Sequence, residues 1–464
     1  MPAATKNNAI CARWEATLAR SGDRPAILGP DGAVLRTFSA VEREANDCAA
    51  RLEKFEPRSV LAIQIGNSPS WPALLLAAFR CELIPLPLGR HIEKTERDAA
   101  LTTCGAMGVV ETGENGFQFV HRDGPRPNWN GKPPDFLKLT SGTTSAPRAI
   151  CFHADQLAAD CDNICETMGI AGEDVNFGVI PFSHSYGFSN LLTPLLCRGI
   201  ALVASEDRMP RAILLGLAQS RATVFPGMPV FFEKLSDLEN APALPALRLC
   251  ISAGAPLSRR IAGRFSERFD LKVHTFYGSS ECGGIGYDAS EALDYEEGFA
   301  GAPMRNVQVT PLDALDASRI EVRSDAVGEC YFPEDDPKTL GARRFIPGDL
   351  IRMSPRGLHL VGRVSDIINI AGRKLNPAEV EARLTGLPGV KQAVVFGIPS
   401  PLRHEEAIAC VVGDVSATAV LRFARTVLSP WQVPKAVWIA KEIPVNERGK
   451  FSRRELARLY LESH

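Results

Sequence analysis

Between residues 59 and 277 the chain alternates short β-branched and apolar runs with stretches whose apolar positions recur at helical spacing. A short continuous apolar run suits a strand buried on both faces, and an i, i+3, i+4 recurrence suits a helix with one inward face. The runs 60–65, 175–181, 200–204, 223–226, 247–252 and 272–276 are predicted strands; 41–52, 71–79, 154–167 and 211–220 are predicted helices. Ser39 and Glu42 stand at capping-box spacing before the first helix. Strands joined through helical crossovers make a parallel sheet, so the expected class is α/β. Such sheets bind ligands at the carboxyl ends of their strands, which directs attention to the loops that follow these runs.

After about residue 361 the pattern becomes a smaller α+β one. Asn376 is placed to cap a helix, Pro377 fits its first position, Glu379 completes a capping-box spacing and Gly386 is placed to end it. Strand-like runs follow at 392–397, 407–412 and 436–440, and a last helix starts at Ser452 with Glu455 three residues on. The expected organisation is a large domain of parallel-sheet α/β subdomains over 1–364 and a smaller, mobile α+β domain over 365–464. No internal repeat or low-complexity tract interrupts either part.

Composition narrows the class of function. A chain of 464 residues is too long for one core, and 45% hydrophobic residues supply material for several. With 52 Lys+Arg against 54 Asp+Glu there is no basic surplus to displace counterions from nucleic acid. The longest apolar runs, such as 71–79, fall short of the roughly 20 residues that span a bilayer. The polar amino terminus carries no apolar signal core, so a cytoplasmic protein is expected. The 12 cysteines are scattered without a Cys-x-x-Cys. Cys161 and Cys165 would share a helix face two turns after His153, and with no tetrahedral set completed nearby they read as core packing rather than a zinc site.

The segment richest in chemistry is Leu139-Thr140-Ser141-Gly142-Thr143-Thr144-Ser145-Ala146-Pro147-Arg148. Its hydroxyls, backbone N–H groups and guanidinium are all donors suited to phosphate oxygens. The G-x-x-x-x-G-K-[ST] spacing of a P-loop is absent. Taken alone, such a segment is more often a polar turn. It is followed, in order, by Pro181-Phe182-Ser183-His184-Ser185-Tyr186-Gly187, Ser252-Ala253-Gly254-Ala255-Pro256-Leu257 and Tyr277-Gly278-Ser279-Ser280-Glu281. Then come Gly348-Asp349, Gly362-Arg363-Val364-Ser365-Asp366, Gly372 with Pro377-Ala378-Glu379-Val380-Glu381, and Asn446-Glu447-Arg448-Gly449-Lys450. As an ordered set covering residue 35 to the carboxyl end, these segments resemble the adenylate-forming superfamily of acyl-CoA synthetases, luciferases and adenylation domains.

The resemblance implies a two-step reaction in which a carboxylic acid and ATP give acyl-AMP and pyrophosphate, and a thiol then displaces AMP. It implies that Thr140, Ser141, Gly142, Thr143, Thr144 and Arg148 hold the β and γ phosphates, and that Glu281 is a ligand of Mg²⁺. Gly254, Ala255, Pro256, Tyr277 and Gly278 would border the nucleotide, with Tyr277 stacked on adenine and Ser280 reaching the α-phosphate or the carboxylate. Asp349 would accept from the ribose hydroxyls with Arg363 close by, Gly372 would line the pantetheine tunnel, and His184 would gate it. Lys450 would bridge the carboxylate and the α-phosphate from the small domain. CoA is the expected thiol, and the phosphopantetheine of an acyl or peptidyl carrier protein is the alternative.

Four positions depart from the pattern of that superfamily. Ser145 replaces a glycine, Arg148 and Ala149 replace Lys-Gly, and Ser365 stands at the pivot where Asp or Lys is frequent. Arginine keeps the charge and adds a planar donor fork. A nucleotide-binding pseudoenzyme is the remaining alternative, opposed by the presence of both Glu281 and Lys450. The resemblance puts the acyl pocket near residues 184–191, 226–230 and 252–254, where Phe188, Leu191, Met228 and Val230 favour an aliphatic or aromatic acid.

Overall fold

The computed structural model describes residues 8–113, 116–129, 131–140, 147–400, 404–444 and 451–463. The largest sheet has eleven strands, in the order Val34–Thr37, Pro25–Leu28, Ala201–Ala204, Val175–Gly178, Val224–Gly227, Leu249–Ser252, Val273–Ser279, Gly283–Tyr287, Phe299–Pro303, Gly357–Arg363, Asp349–Ser354. From Pro25–Leu28 to Val273–Ser279 the pairings are parallel, and Ala201–Ala204, Val224–Gly227 and Leu249–Ser252 are buried along their whole length, as continuous apolar runs require. From Gly283 onward every pairing in this sheet is antiparallel.

A second sheet pairs Ile84–Pro87, Val60–Gln64 and Ala106–Gly113 in parallel. Its crossover helix, Trp71–Arg80, is buried from Trp71 to Phe79, which is why it is apolar all round. Asn67 joins the two sheets. Its buried amide nitrogen donates to the carbonyls of Gly178, Ile180 and Ser205 at 2.9–3.0 Å, and its oxygen accepts from Phe182 N at 2.9 Å. The carboxyl ends of strands Val175–Gly178 and Ala201–Ala204 are thereby tied to the segment that leads to His184.

The small sheet is Arg373–Leu375, Ile368–Ile370, His404–Gly413, Val390–Ser400, with Ala436–Ala440 added in parallel to His404–Gly413. Alternate residues of its central strands feed two cores: Val395, Ala409 and Val411 pack with Val380, Leu384, Val420 and Ala424, whereas Val394, Phe396, Ile408 and Cys410 pack with Leu456. Arg453 draws the last helix, Arg453–Ser463, onto the rest. Its guanidinium reaches Asp366 at 2.5 Å and Glu381 at 2.7 Å, and its Nε donates to Val395 O at 2.9 Å.

Two helix starts differ in instructive ways. The helix expected at 41–52 runs Phe38–Leu52, because Thr37 is its cap and accepts from Ala40 N at 3.2 Å. Glu42 is therefore not a capping residue; it accepts from Trp14 Nε1 at 2.8 Å and Arg80 Nη2 at 2.7 Å. Asn376 does cap Pro377–Leu384, accepting from Ala378 N at 3.2 Å, and its amide also donates to Val361 O at 3.0 Å.

Candidate active site

Residues Phe136–Leu139 and Ala149–Phe152 form an antiparallel pair whose connection is the Ser/Thr-rich segment. Thr140 closes its base, with its backbone N and Oγ1 both donating to Arg148 O at 2.8 and 3.0 Å. Ser141, Gly142, Thr143 and Thr144 lie outside the described residues. Strand Cys330–Phe332 pairs on the other side of Ala149–Phe152 and brings in Tyr331, which the sequence did not single out. The Arg148 guanidinium lies 3.8 Å from the Tyr331 ring centroid and its Nη2 donates to Glu334 O at 3.2 Å. The Tyr331 hydroxyl donates to Glu281 Oε1 at 3.1 Å, and Ser279 Oγ donates to Glu281 Oε2. Burial, then the Glu281 carboxylate, push the Tyr331 phenol well above its ordinary value, so it remains a donor.

Glu281 is carried by the turn between Val273–Ser279 and Gly283–Tyr287. That turn is seated on Asp160, which accepts from Gly284 N at 3.0 Å. Gly283, at φ +70°, passes so close to the Asp160 carboxylate that any Cβ would overlap it. Lys138, only 5% exposed, sits with its ammonium 4.5 Å from the Phe152 ring and 5.5 Å from the Phe188 ring. Burial pulls Lys138 below the usual lysine range, against the nearby Asp160 and Glu281 charges. Sequence did hold a signal for both groups, since each is a charge inside an apolar pattern: Lys138 among Phe136, Leu137 and Leu139, and Asp160 on the face of Leu157, Cys161 and Ile164. Cys161 and Cys165 are buried on that helix.

Tyr277, near the carboxyl end of the same strand, comes together with Asp349 and Arg363. Tyr277 Oη donates to Asp349 Oδ2 at 2.8 Å and Arg363 Nε donates to Asp349 Oδ1 at 2.7 Å. Asp349 and Arg363 are direct partners across a hairpin, which accounts for their meeting. In the sheet order the strand of Tyr277 is three places from that of Arg363, and Tyr277 and Asp349 are four strands apart. A flat sheet would separate them by about 19 Å at the usual strand spacing, so the antiparallel end must curl back over Val273–Ser279. Burial and the Asp349 carboxylate push the Tyr277 phenol well above its ordinary value.

Ser280 Oγ accepts from Ser185 Oγ at 2.8 Å, which draws the His184 segment against this turn. His184 opens the short turn Ser185–Gly187, its Nδ1 accepting from Tyr186 N at 3.3 Å. Gly254, Ala255 and Pro256 follow Leu249–Ser252, the strand beside Val273–Ser279, and Gly254 turns the chain at φ +86°. Gly278 is packed against Gly283 O. Gly372 lies on the small sheet, in the turn between Ile368–Ile370 and Arg373–Leu375, donating to Asn369 Oδ1 at 3.0 Å. Among the described residues no hydrogen bond joins it to the large-sheet cluster. Lys450 lies outside the described residues. Of the apolar residues expected to line an acyl pocket, Phe188 and Leu191 are core and Val230 is exposed; Phe188 is packed on Phe136 at 4.4 Å between ring centroids. Met228 approaches Gly254.

A tyrosine, a carboxylate, an arginine and a hydroxyl-bearing turn thus meet at the carboxyl end of Val273–Ser279, the kind of position where open α/β sheets bind ligands. The profile of the AMP-binding enzyme family matches residues 14–128 and 121–333, and that of the AMP-binding enzyme C-terminal domain matches 379–450. Similar proteins include a feruloyl-CoA synthase of Amycolatopsis sp, 25% identical over 96% of this chain and 98% of that protein. A 3,4-dihydroxybenzoate–[aryl-carrier protein] ligase of Bacillus anthracis is 24% identical over 71% of this chain and 75% of that one. Among solved structures, ATP-bound MatB from Rhodopseudomonas palustris shares the fold with a TM-score of 0.86 at 23% identity, covering 98% of this chain and 99% of that one. The chain belongs to the AMP-binding enzyme family and is an adenylate-forming ligase. Among the described residues no helix is long and apolar enough to cross a membrane.

Proposed function

We propose that this enzyme joins a carboxylic acid to ATP as acyl-AMP and then passes the acyl group to the thiol of CoA. A carboxylate oxygen attacks the α-phosphorus, the bond from the α-phosphorus to the bridging oxygen breaks, and pyrophosphate leaves. The thiol then attacks the acyl carbon, loses its proton, and AMP departs. Attack of an anion on a polyanion is limited by charge and orientation, so the residues needed are donors and cations held in place.

The observation that carries this reading is the Tyr277–Asp349–Arg363 cluster beside Glu281, because it supplies an aromatic face, a carboxylate and a cation at one sheet end. Tyr277 would take the adenine, Asp349 the ribose hydroxyls, and Arg363 the ribose and phosphate edge. Thr140 and Arg148, with Ser141, Gly142, Thr143 and Thr144, would hold the β and γ phosphates. Gly254, Ala255, Pro256 and Gly278 would border the nucleotide. Ser280 would reach the α-phosphate or the carboxylate. His184, on the neighbouring segment, would gate thiol entry, Gly372 would line the pantetheine tunnel, and Lys450 would bridge the reacting groups from a small domain covering 365–464.

The donor set near Glu281 fits Mg²⁺, a hard cation usually held by one or two carboxylates with the remaining positions filled by water and substrate phosphates. When bound, Mg²⁺ neutralises phosphate charge and polarises the phosphoryl oxygens. Glu281 would hold it, and Ser279 and Tyr331 keep that carboxylate's two oxygens in place.

The likeness to a feruloyl-CoA synthase over nearly the whole of both chains favours CoA as acceptor and an aromatic acid as substrate, while Phe188, Leu191, Met228 and Val230 leave an aliphatic acid as the other candidate. Incubation with Mg·ATP, a panel of such acids and either CoA or a phosphopantetheinylated carrier protein tests the whole reaction. AMP, pyrophosphate and a CoA thioester in equal amounts are expected. Thioester only on the carrier would reassign the acceptor, and ATP consumption that yields ADP would overturn the reading.

A further inference from the structure

We propose that Tyr331 is a positioning residue for the phosphate end of the site, its ring seating Arg148 while its hydroxyl orients Glu281. The inference rests on the roles given above to Arg148 and Glu281 and adds the device that fixes their separation. Arg148 and Glu281 are 133 positions apart in the chain and come from different sheets. Tyr331 touches both, by a ring contact at 3.8 Å and a hydrogen bond at 3.1 Å.

The segment that bears Tyr331 is tied by its backbone to both the Glu281 turn and the strand that follows Arg148. Gly328 N donates to the backbone carbonyl of Glu281 at 2.8 Å, and Glu329 N donates to Cys151 O at 2.9 Å. From there Cys330, Tyr331 and Phe332 pair with Cys151, Ile150 and Ala149, the residues that directly follow Arg148. Gly328 lies so close to Ile150 that a Cβ would overlap its side chain, so this backbone is packed as well as hydrogen-bonded. Tyr331 is 7% exposed, so neither ring nor hydroxyl is loosely placed.

The pairing also gives a reason for the arginine. A guanidinium is planar and stacks on an aromatic face while its edge keeps donors free, whereas an ammonium has no plane to stack. Arg148 spends Nη2 on Glu334 O, and its buried Nε has no hydrogen-bond partner among the described residues. A phosphate oxygen reached by that edge would satisfy a donor that is otherwise costly to bury. Arg148 and Tyr331 thus form a matched pair in which the ring carries the plane and the ligand takes the edge.

Four variants of the full chain separate the contributions: Tyr331→Phe, Tyr331→Leu, Arg148→Met and Glu281→Gln. Two quantities are read: the affinity for ATP in EDTA by calorimetry, and the Mg²⁺ concentration for half-maximal pyrophosphate release. Thermal midpoints are recorded alongside. Tyr331→Leu is expected to weaken metal-free ATP binding roughly threefold to tenfold, as loss of a cation–π seat implies, while Tyr331→Phe stays close to the parent. Both are expected to raise the Mg²⁺ requirement roughly threefold to tenfold, through the lost hydrogen bond to Glu281. If Tyr331→Leu lowers only the thermal midpoint, Tyr331 is merely structural and the proposal is overturned. Equal ATP weakening in Tyr331→Phe and Tyr331→Leu would overturn the role of the ring. Should the leucine variant fail to fold, an unshifted Mg²⁺ requirement in Tyr331→Phe decides against the proposal. Parent-like ATP binding by Arg148→Met, or a parent-like Mg²⁺ curve for Glu281→Gln, would instead remove the roles assigned to those residues.

Discussion

Asp349, the first residue of its strand, is held from two sides, by the Tyr277 hydroxyl and by the Arg363 guanidinium. Contacts proposed there with the adenine and ribose would be remote from the reacting phosphorus and so act alike on ground and transition states. Tyr277→Ala and Asp349→Ala should therefore raise the KM for ATP about tenfold and change kcat much less, read from initial rates at varied ATP. A loss confined to kcat would place Tyr277 on the reacting carboxylate. Glu281→Gln should move the Mg²⁺ dependence of pyrophosphate release to higher concentration, since an amide is a poor ligand for a hard cation. The motif residues were legible because type and order along the chain are enough to suggest them. Tyr331 was not, because its meaning lies in partners at positions 148 and 281 that only the fold brings near. Lys138 and Asp160 sit between these cases: their anomaly is visible as charge in an apolar run, and their association is not.

At the scale of elements, periodicity located the parallel strands because each is a continuous apolar run, yet it misjudged their ends. The run at 272–276 continues as a strand to Ser279, since its antiparallel pairing with Gly283–Tyr287 goes on through polar residues. The start of helix Phe38–Leu52 was misplaced because two hydroxyl residues, Thr37 and Ser39, compete for one cap. Between elements, Asp174 ties together the amino ends of three central strands, Val175–Gly178, Val224–Gly227 and Leu249–Ser252. It accepts from Arg248 Nε at 2.8 Å, from Thr223 Oγ1 at 2.7 Å and from Ala171 N at 2.9 Å. Burial acts to raise its pKa, but the Arg248 bond, the Ala171 N–H and the Thr223 hydroxyl outweigh it and hold the carboxyl below the usual range. A carboxyl depressed in the folded state stabilises above its unfolded value of about 3.9, and that contribution fades as pH falls through the lower folded value. Asp174→Ala should thus cost about 2–3 kcal/mol at pH 7 in denaturant unfolding, with the gap closing below about pH 4. A gap that is independent of pH would show that packing, not charge, is what Asp174 contributes.

For the whole molecule, the decisive relation is between the large sheet and the small domain that bears Lys450. Arg453, three positions after Lys450, is bonded to Asp366 in the turn Val364–Asp366, so the final helix and the expected pivot are linked directly. Rotation about that turn would bring Lys450 to the site for adenylation and the Gly372 turn for thiol transfer. Lys450→Ala should reduce acyl-AMP formation about 10²- to 10³-fold while leaving thioester formation from supplied acyl-AMP intact. Equal loss in both steps would contradict alternation of the small domain. Beneath every role assigned above lies the claim that a carboxylic acid attacks the α-phosphate of ATP. Acid-dependent exchange of labelled pyrophosphate into ATP measures that step alone, without any acceptor thiol. The expected result is label in ATP that appears only when a substrate acid and Mg²⁺ are both present; ATP that binds but acquires no label with any acid of the panel would contradict the account.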